Sequence, residues 1–432
     1  MKQIRFYQII TAISCLFLIS CGIEQNLKKA DKHLSLGEYF DAATQYKKVY
    51  TKTPTKERAA RGKVALKMAR CYDKINSTPK ALAAYSNAIR YKQADLNDRL
   101  AYARLLLKNG SYRQAAKEFE FLLDSMPDNV LVKNGLESAR KAPVWKKEGS
   151  RYKVKRMDVF NSRRDDYSPM FLSDDNSQIY FTSTRNEAQG SDLNGVTGTK
   201  SADIFFSEKN DKGKWSKPEA IGTGLNTDYE EGACCFTPDG KQMYLTQCTT
   251  DPTSPRLAQI VTSNRSDAAW SKPTNLEISK DTLSCFAHPA ISPDGEWLYF
   301  VSDMPGGKGG LDIWRVRITP AGLGGVENLG EPINTPGDEM FPTFRPNGDF
   351  YFSSNGHVGM GGLDIYIAKV NSITRKYELT HPGYPLNTEA DDFGMTFEGL
   401  HNQGFFCSNR KDGRGYDHIY SFENPEIVTT MK

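Results

Sequence analysis

The chain has 432 residues, of which 38% are hydrophobic and 25% charged, with 35 glycines and a formal net charge of +4. That composition excludes a mainly disordered chain, allows more than one packed core, and suits a turn-rich β protein in at least one part. Residues 22–150 hold 26 Lys+Arg against 14 Asp+Glu, and residues 151–432 hold 28 against 38, so a basic first part precedes an acidic second.

Residues 1–21 read as a targeting segment. Lys2 and Arg5 give a positive start, and Ile9 to Ile19 make an apolar core shorter than the ~20 residues a spanning helix needs. The end of that core, Leu18-Ile19-Ser20-Cys21, resembles the lipobox of bacterial lipoproteins. The resemblance implies acylation of Cys21, stable anchoring through several chains and, with no aspartate after the cysteine, the outer membrane, on its periplasmic face. A basic segment directly after an anchor suits anionic headgroups or an acidic partner. Cys71, Cys234, Cys235, Cys248, Cys285 and Cys407 remain; the cluster at 234, 235, 248 and 285 is where disulfides are expected in an oxidising compartment, with free core thiols as the equal alternative.

Residues 22–140 have helical periodicity. Leu36-Gly37, Thr53-Pro54, Asn76-Ser77-Thr78-Pro79, Asn109-Gly110 and Met126-Pro127-Asp128 punctuate it. Ala42, Ala81 and Ala115 align in one column, and Tyr46, Tyr85 and Phe119 in another. These columns resemble tetratricopeptide (TPR) repeats, which stack into a superhelix with a concave binding face. Residues 141–152 read as a linker, with Trp145 expected to pack where two domains meet.

From residue 153 the period changes. Ala287-His288-Pro289, Ser292-Pro293-Asp294-Gly295, Trp297-Leu298-Tyr299-Phe300 and Gly310-Leu311-Asp312-Ile313-Trp314 make three short strands joined by a tight turn and a glycine loop. The pattern is written five times. The residue opening the third strand reads Asp203, Gln259, Asp312, Asp364 and Asp417, and the aromatic second strand recurs as Tyr180-Phe181, Tyr244-Leu245, Tyr299-Phe300, Tyr351-Phe352 and Phe405-Phe406. A repeat of about 50 residues with four strands is a propeller blade. Residues 153–425 are therefore predicted to form a five-bladed antiparallel β-propeller. Asn161-Ser162 with Asp165-Asp166-Tyr167 matches the signature before later blades, such as Leu386-Asn387-Thr388 with Asp391-Asp392-Phe393. Strand 153–160 is thus expected to complete the last blade and close the ring, which also removes an exposed sheet edge. Residues 426–432 form a tail.

Chemistry-bearing motifs are scarce. There is no Gly-x-Ser-x-Gly elbow, His-Glu-x-x-His helix or Walker loop, and His33, His288, His357, His381, His401 and His418 have no metal-ligand spacing. Neither a cofactor nor a metal is expected, and no catalytic residue is assigned. Gly306-Gly307-Lys308-Gly309-Gly310 and Gly359-Met360-Gly361-Gly362 occupy equivalent slots and read as hairpin loops. Asp203, Asp312, Asp364 and Asp417 are expected to be structural, accepting backbone amides of the preceding loop. Ser183-Thr184-Arg185 and Ser408-Asn409-Arg410 are read the same way.

Pro-Asp-Gly, the aromatic strand and Gly-x-Asp-Ile together resemble the WD40-like repeats called PD40. With a lipobox and TPR repeats in this order, the chain resembles PorE-like lipoproteins of the type IX secretion system. The resemblance implies a non-enzymatic, outer-membrane-anchored scaffold that holds other envelope and secretion proteins on its TPR and propeller surfaces, without nucleic acid. Relatives of that kind grip peptidoglycan through an OmpA-like domain, so peptidoglycan is expected as a partner only if such a domain exists outside this sequence. The alternatives are a TolB-like envelope-integrity factor and a glycan-binding or hydrolytic propeller with a site at the central opening.

Overall fold

A computed structural model describes residues 22–427 except 174, 191–192, 223, 249–256 and 268. The expected leader with Cys21 lies outside the described residues, as do residues 428–432 of the tail. Seven helices come first: α1 (residues 22–35), α2 (Tyr39–Lys52), α3 (Arg58–Lys74), α4 (Thr78–Arg90), α5 (Leu96–Lys108), α6 (Tyr112–Ser125) and α7 (Val130–Glu148). Both expected columns are buried: Ala42, Ala81 and Ala115 expose nothing, and Tyr46, Tyr85 and Phe119 at most 2%.

The described residues form two compact units. The first comprises residues up to Leu105 with the excursion Leu193–Thr199, and the second comprises the rest. The first unit is built around Ala42, Tyr46, Met68, Ala69, Ala81 and Tyr85. Tyr46 donates to Asp31 at 2.5 Å, which satisfies its hydroxyl at the edge of that core.

The division falls within α5, not at the expected linker. Residues 141–148 are the last turns of α7, because Val132, Leu136, Ala139 and Ala142 carry one buried face through them despite Pro143. Trp145 on the same helix stacks on His381 with centroids 4.5 Å apart.

The second unit contains the predicted five-bladed antiparallel propeller. After β1 (Lys153–Arg156), blade one is β2 (Asp166–Phe171), β3 (Gln178–Ser183), β4 (Asp203–Glu208) and β5 (Glu219–Ala220). Blade two is β6 (Glu230–Phe236), β7 (Gln242–Cys248), β8 (Ala258–Ser266), β9 (Ala269–Trp270) and β10 (Thr274–Asn275). Blade three is β11 (Ala287–Ile291), β12 (Trp297–Ser302), β13 (Asp312–Thr319) and β14 (Gly322–Asn328). Blade four is β15 (Glu339–Phe344), β16 (Phe350–Ser354), β17 (Asp364–Val370) and β18 (Tyr377–Thr380). Blade five is β19 (Asp392–Phe397), β20 (Gln403–Ser408) and β21 (His418–Glu423), completed by β1 running antiparallel to β21 from Lys153↔Glu423 to Arg156↔Tyr420. The cores lie between blades. Phe160, Phe171, Phe181 and Phe205 meet Phe405 and Ile419 across the closing seam.

The five first strands β2, β6, β11, β15 and β19 pack against one another around the axis. Each carries one bulge, where Ser168, Ala233, His288, Phe341 and Gly394 adopt left-handed backbone with φ between 41° and 62°. At four of the five positions this conformation costs about 1 kcal/mol, because a Cβ is present. The repetition shows that the bulge is what bends each inner strand round the axis.

Candidate active site at the strand-start mouth

The axis is closed in the middle. His288 stacks on Phe341 at 3.8 Å, Phe341 lies 4.6 Å from Phe393, and Tyr167 lies 6.5 Å from Phe393. Only a void of about 20 Å³ remains between the bulged residues, the size of one water. Burial pushes the His288 imidazole down to about 3, so it is neutral. The closed axis leaves two mouths, one where the first strands start and one where the turns after them lie.

The turn-end mouth is a cavity of about 760 Å³ whose polar lining is Ser173, Asn176, Thr237, Ser292, Thr343, Asn347, Thr396 and His401 among apolar residues. No carboxylate is among its described lining residues.

The strand-start mouth is different, and its residues follow from the blade repeat. In all five blades one backbone bond links consecutive blades: the amides of Asp166, Glu231, Phe286, Glu339 and Asp392 donate to the carbonyls of Asp417, Ala202, Ala258, Leu311 and Leu363, at 2.6 to 3.0 Å. The residue before each of these amides is Asp165, Glu230, Cys285, Asp338 or Asp391. Asp165, Asp338 and Asp391 each accept an amide from the neighbouring blade, from Asp417, Leu311 and Leu363 at 3.0 to 3.1 Å. Glu230 accepts the amide of Ala202 in the same way. These carboxylates staple blade to blade.

Asp417 does not fit that scheme. Its slot is held by Ala202, Ala258, Leu311 and Leu363 in the other blades, so the ring does not require an acid there. The expected grouping of Asp417 with Asp203, Asp312 and Asp364 is corrected by the strand register. Ser183, Ser302 and Ser354 pair with Asp203, Asp312 and Asp364, whereas Ser408 pairs with His418. The three true members do accept loop amides. Asp203 takes Gln189 at 2.7 Å, Asp364 takes Met360 at 2.8 Å and Gly361 at 3.1 Å, and Asp312 takes Lys308 and Gly309. The glycine loops are therefore hairpins closed on their own aspartates, and a Cβ at Gly359 would lie 2.2 Å from Asp364.

Asp417, Asp165, Tyr167 and Glu230 are all partly exposed. Burial, then the charges of Asp165 and Asp391, hold the Asp417 carboxyl well above the usual range. Burial and Asp166 raise Asp165 as well. Burial, followed by repulsion from Glu231, lifts Glu230 to about 7. Asp391 goes the other way: burial opposes ionisation, yet Lys108 at 2.6 Å and Asn409 keep it below the ordinary carboxylate range. After burial, the charges of Glu230, Asp165 and Asp417 are the largest influences on the Tyr167 phenol, which is held well above its usual range. Neighbouring carboxyls with divergent proton affinities are the arrangement that acid–base chemistry uses.

The sequence reading assigned no catalytic residue. A spacing signal for Asp417 was present, since Ser302 to Asp312 and Ser354 to Asp364 are each ten apart, which puts His418 in the motif and frees Asp417. The proximity of Glu230 to Tyr167 had no such signal. Arg185 and Arg410 pair with buried Asp166 and Asp392 at 2.6 Å and hold strand starts. No disulfide joins the described cysteines, and Cys234 is a buried thiol pushed up to about 12.

No family model matches the chain, and no curated protein does. Among solved structures, a protein of unknown function from Dyadobacter fermentans is similar at 14% identity and TM-score 0.37, over 59% of this chain and 76% of that one. An endo-arabinase from Bacteroides thetaiotaomicron is similar at 14% and 0.39, over 62% and 96%. An α-L-arabinofuranosidase from Lactobacillus brevis is similar at 13% and 0.36, over 64% and 98%.

Two expectations are corrected here. The chain was expected to be a non-enzymatic secretion scaffold, but the similar rings with a printed activity include glycosidases. On this chain itself, Asp165 lies against Asp417 at the strand starts, and acids gathered at one mouth are the feature that separates the enzyme or glycan-binding alternative from a scaffold.

Proposed function

We propose that this chain is a carbohydrate-active propeller that hydrolyses a glycan at the strand-start mouth. The observation that carries this reading is Asp417, an acid against Asp165 in a slot where the other four blades hold alanine or leucine, its carboxyl held well above the usual range.

In this reading Asp417 gives its proton to the glycosidic oxygen as the bond to the anomeric carbon breaks. Water adds to that carbon and passes its proton to the Glu230 carboxylate. Asp165 keeps the proton on Asp417 until substrate arrives, and solvent restores it after each turnover. Tyr167 closes the floor of the mouth, and its hydroxyl orients a sugar hydroxyl. The same proposal retains the expected setting, an exported lipoprotein acylated at Cys21 in the cell envelope with a TPR-like segment before the ring.

The test is release of reducing ends from a panel of plant and bacterial polysaccharides by the full chain and by Asp417→Asn. Activity that Asp417→Asn lowers by two or more orders of magnitude, with circular dichroism unchanged, supports the reading. Failure of the unaltered chain to cleave or bind any member would overturn it.

A further inference from the structure

Beside the proposed catalytic mouth lies a second cavity of about 450 Å³, lined by Ser162, Arg163, Arg164, Arg185, Asn186, Glu187 and Tyr416. We infer that this cavity binds an anionic group of the substrate, so that the glycan is an acidic one, bearing uronate carboxylates or sulfate esters. The inference rests on the proposed function and specifies its substrate class.

Position comes first. Arg164 directly precedes Asp165 and Tyr416 directly precedes Asp417, and consecutive Cα atoms are about 3.8 Å apart. The cavity wall and the acid pair are thus built from the same two backbone segments. A sugar reacting at Asp417 has its neighbour within reach of the arginines.

Charge comes second. Arg185 is already neutralised by Asp166 and also bonds the Phe160 carbonyl at 2.7 Å. Arg164 spends its Nε on Asn186 at 3.0 Å, which fixes the guanidinium and leaves its terminal nitrogens for a ligand. Arg163 is exposed, and Glu187 is the single acid among the described residues of the lining. The cavity is therefore net positive on the half of the chain that holds 28 basic against 38 acidic residues. A net positive hollow on an acidic body is where an anion gains most, and guanidinium forks match the planar carboxylate and the sulfate. Tyr416, 38% exposed, offers a flat apolar face of the kind that packs on a sugar ring.

Titration calorimetry with the full chain tests this. The probes are an oligogalacturonide, the same oligomer with its carboxylates methyl-esterified, and a carrageenan oligosaccharide, which carries sulfate esters and no uronate. The expected result is that one of the two anionic probes binds about tenfold more tightly than the ester. Arg163→Glu with Arg164→Gln should abolish that preference while leaving the ester's affinity unchanged. Which anionic probe wins identifies carboxylate or sulfate. Equal affinity for charged and esterified oligomers, or a preference that survives the double variant, overturns the inference and leaves the proposed function standing. No binding of any probe, together with no cleavage in the polysaccharide panel, overturns both.

Discussion

Asn161 brackets Ile419 from 258 positions away: its Oδ1 accepts the Ile419 amide and its Nδ2 donates to the Ile419 carbonyl, both at 2.8 Å. Asn226 holds Ile204, Asn334 holds Ile313 and Asn387 holds Ile365 in the same way. The closing contact between the first and last parts of the ring is thus chemically the same as the contacts between neighbours inside it. Met157 adds its own amide to the Ile419 carbonyl at 3.0 Å.

Asn161→Ala leaves the Ile419 amide without its partner and the Ile419 carbonyl with the Met157 amide alone. The expected loss is about 1 to 3 kcal/mol, equal to that of Asn387→Ala within error, in urea unfolding followed by tryptophan fluorescence. A loss far below that of Asn387→Ala would mean that β1 alone, without Asn161, holds the closure.

In α7 the backbone of Gly135 lies against Phe119 of α6, and a Cβ there would stand 2.3 Å from Phe119 Cζ. Phe119 is fully buried and has nowhere to withdraw. Alanine favours a helix interior by about 1 kcal/mol over glycine, but overpacking here costs about 1 to 3 kcal/mol. Gly135→Ala is therefore expected to lower the melting temperature. Adding Phe119→Leu should make the double variant less destabilised than the sum of the two single changes. Simple additivity would contradict the packing argument.

The ring was legible in the sequence because one module has to bury both faces against copies of itself, so its pattern is written five times. The signature Asn161-Ser162 was legible for the same reason, since it performs for the closure what Asn226, Asn334 and Asn387 perform between blades. Two things were hidden. Pro143 and the lysines around it look like a linker, and only the buried face through Ala139 and Ala142 makes them helix. Asp417 falls one residue before His418, and a loop of different shape leads to β21, so counting from the previous repeat assigns it to the wrong slot. The mouth itself depended on which carboxylates the fold shields from water, and spacing does not encode burial.

Glu339 opens β15 fully buried, receiving the Thr335 amide at 2.8 Å and the Thr335 and Ser354 hydroxyls at 2.7 and 2.6 Å. Burial, the leading cause, raises its carboxyl to about 7 from an ordinary 4.5. Below about 4.5 the group is protonated folded and unfolded, and its contribution is complete. As pH rises from 4.5 towards 7 the unfolded chain ionises while the folded one resists, so stability is lost through that window and levels off above it. Glu339→Gln should remove the slope, gaining on the unaltered chain with rising pH by up to about 3 kcal/mol. Urea midpoints between pH 4 and 8 measure this, and parallel curves for the two proteins would refute it.

The proposed chemistry makes a pH prediction with the opposite consequence. Glu230 has to be ionised to take a proton from water, and burial raises it to about 7, so hydrolysis should climb through neutral pH where the ordinary glutamate range would have it level. Asp417 has to be protonated, and its carboxyl is held well above the usual range, so the falling limb should come at higher pH than a free aspartate permits. Glu230→Gln should lower the rate by about two to four orders of magnitude and erase the rising limb, whereas Asp417→Asn should erase the falling one. If both limbs persist in both variants, the two carboxyls report the architecture of the ring and not its chemistry.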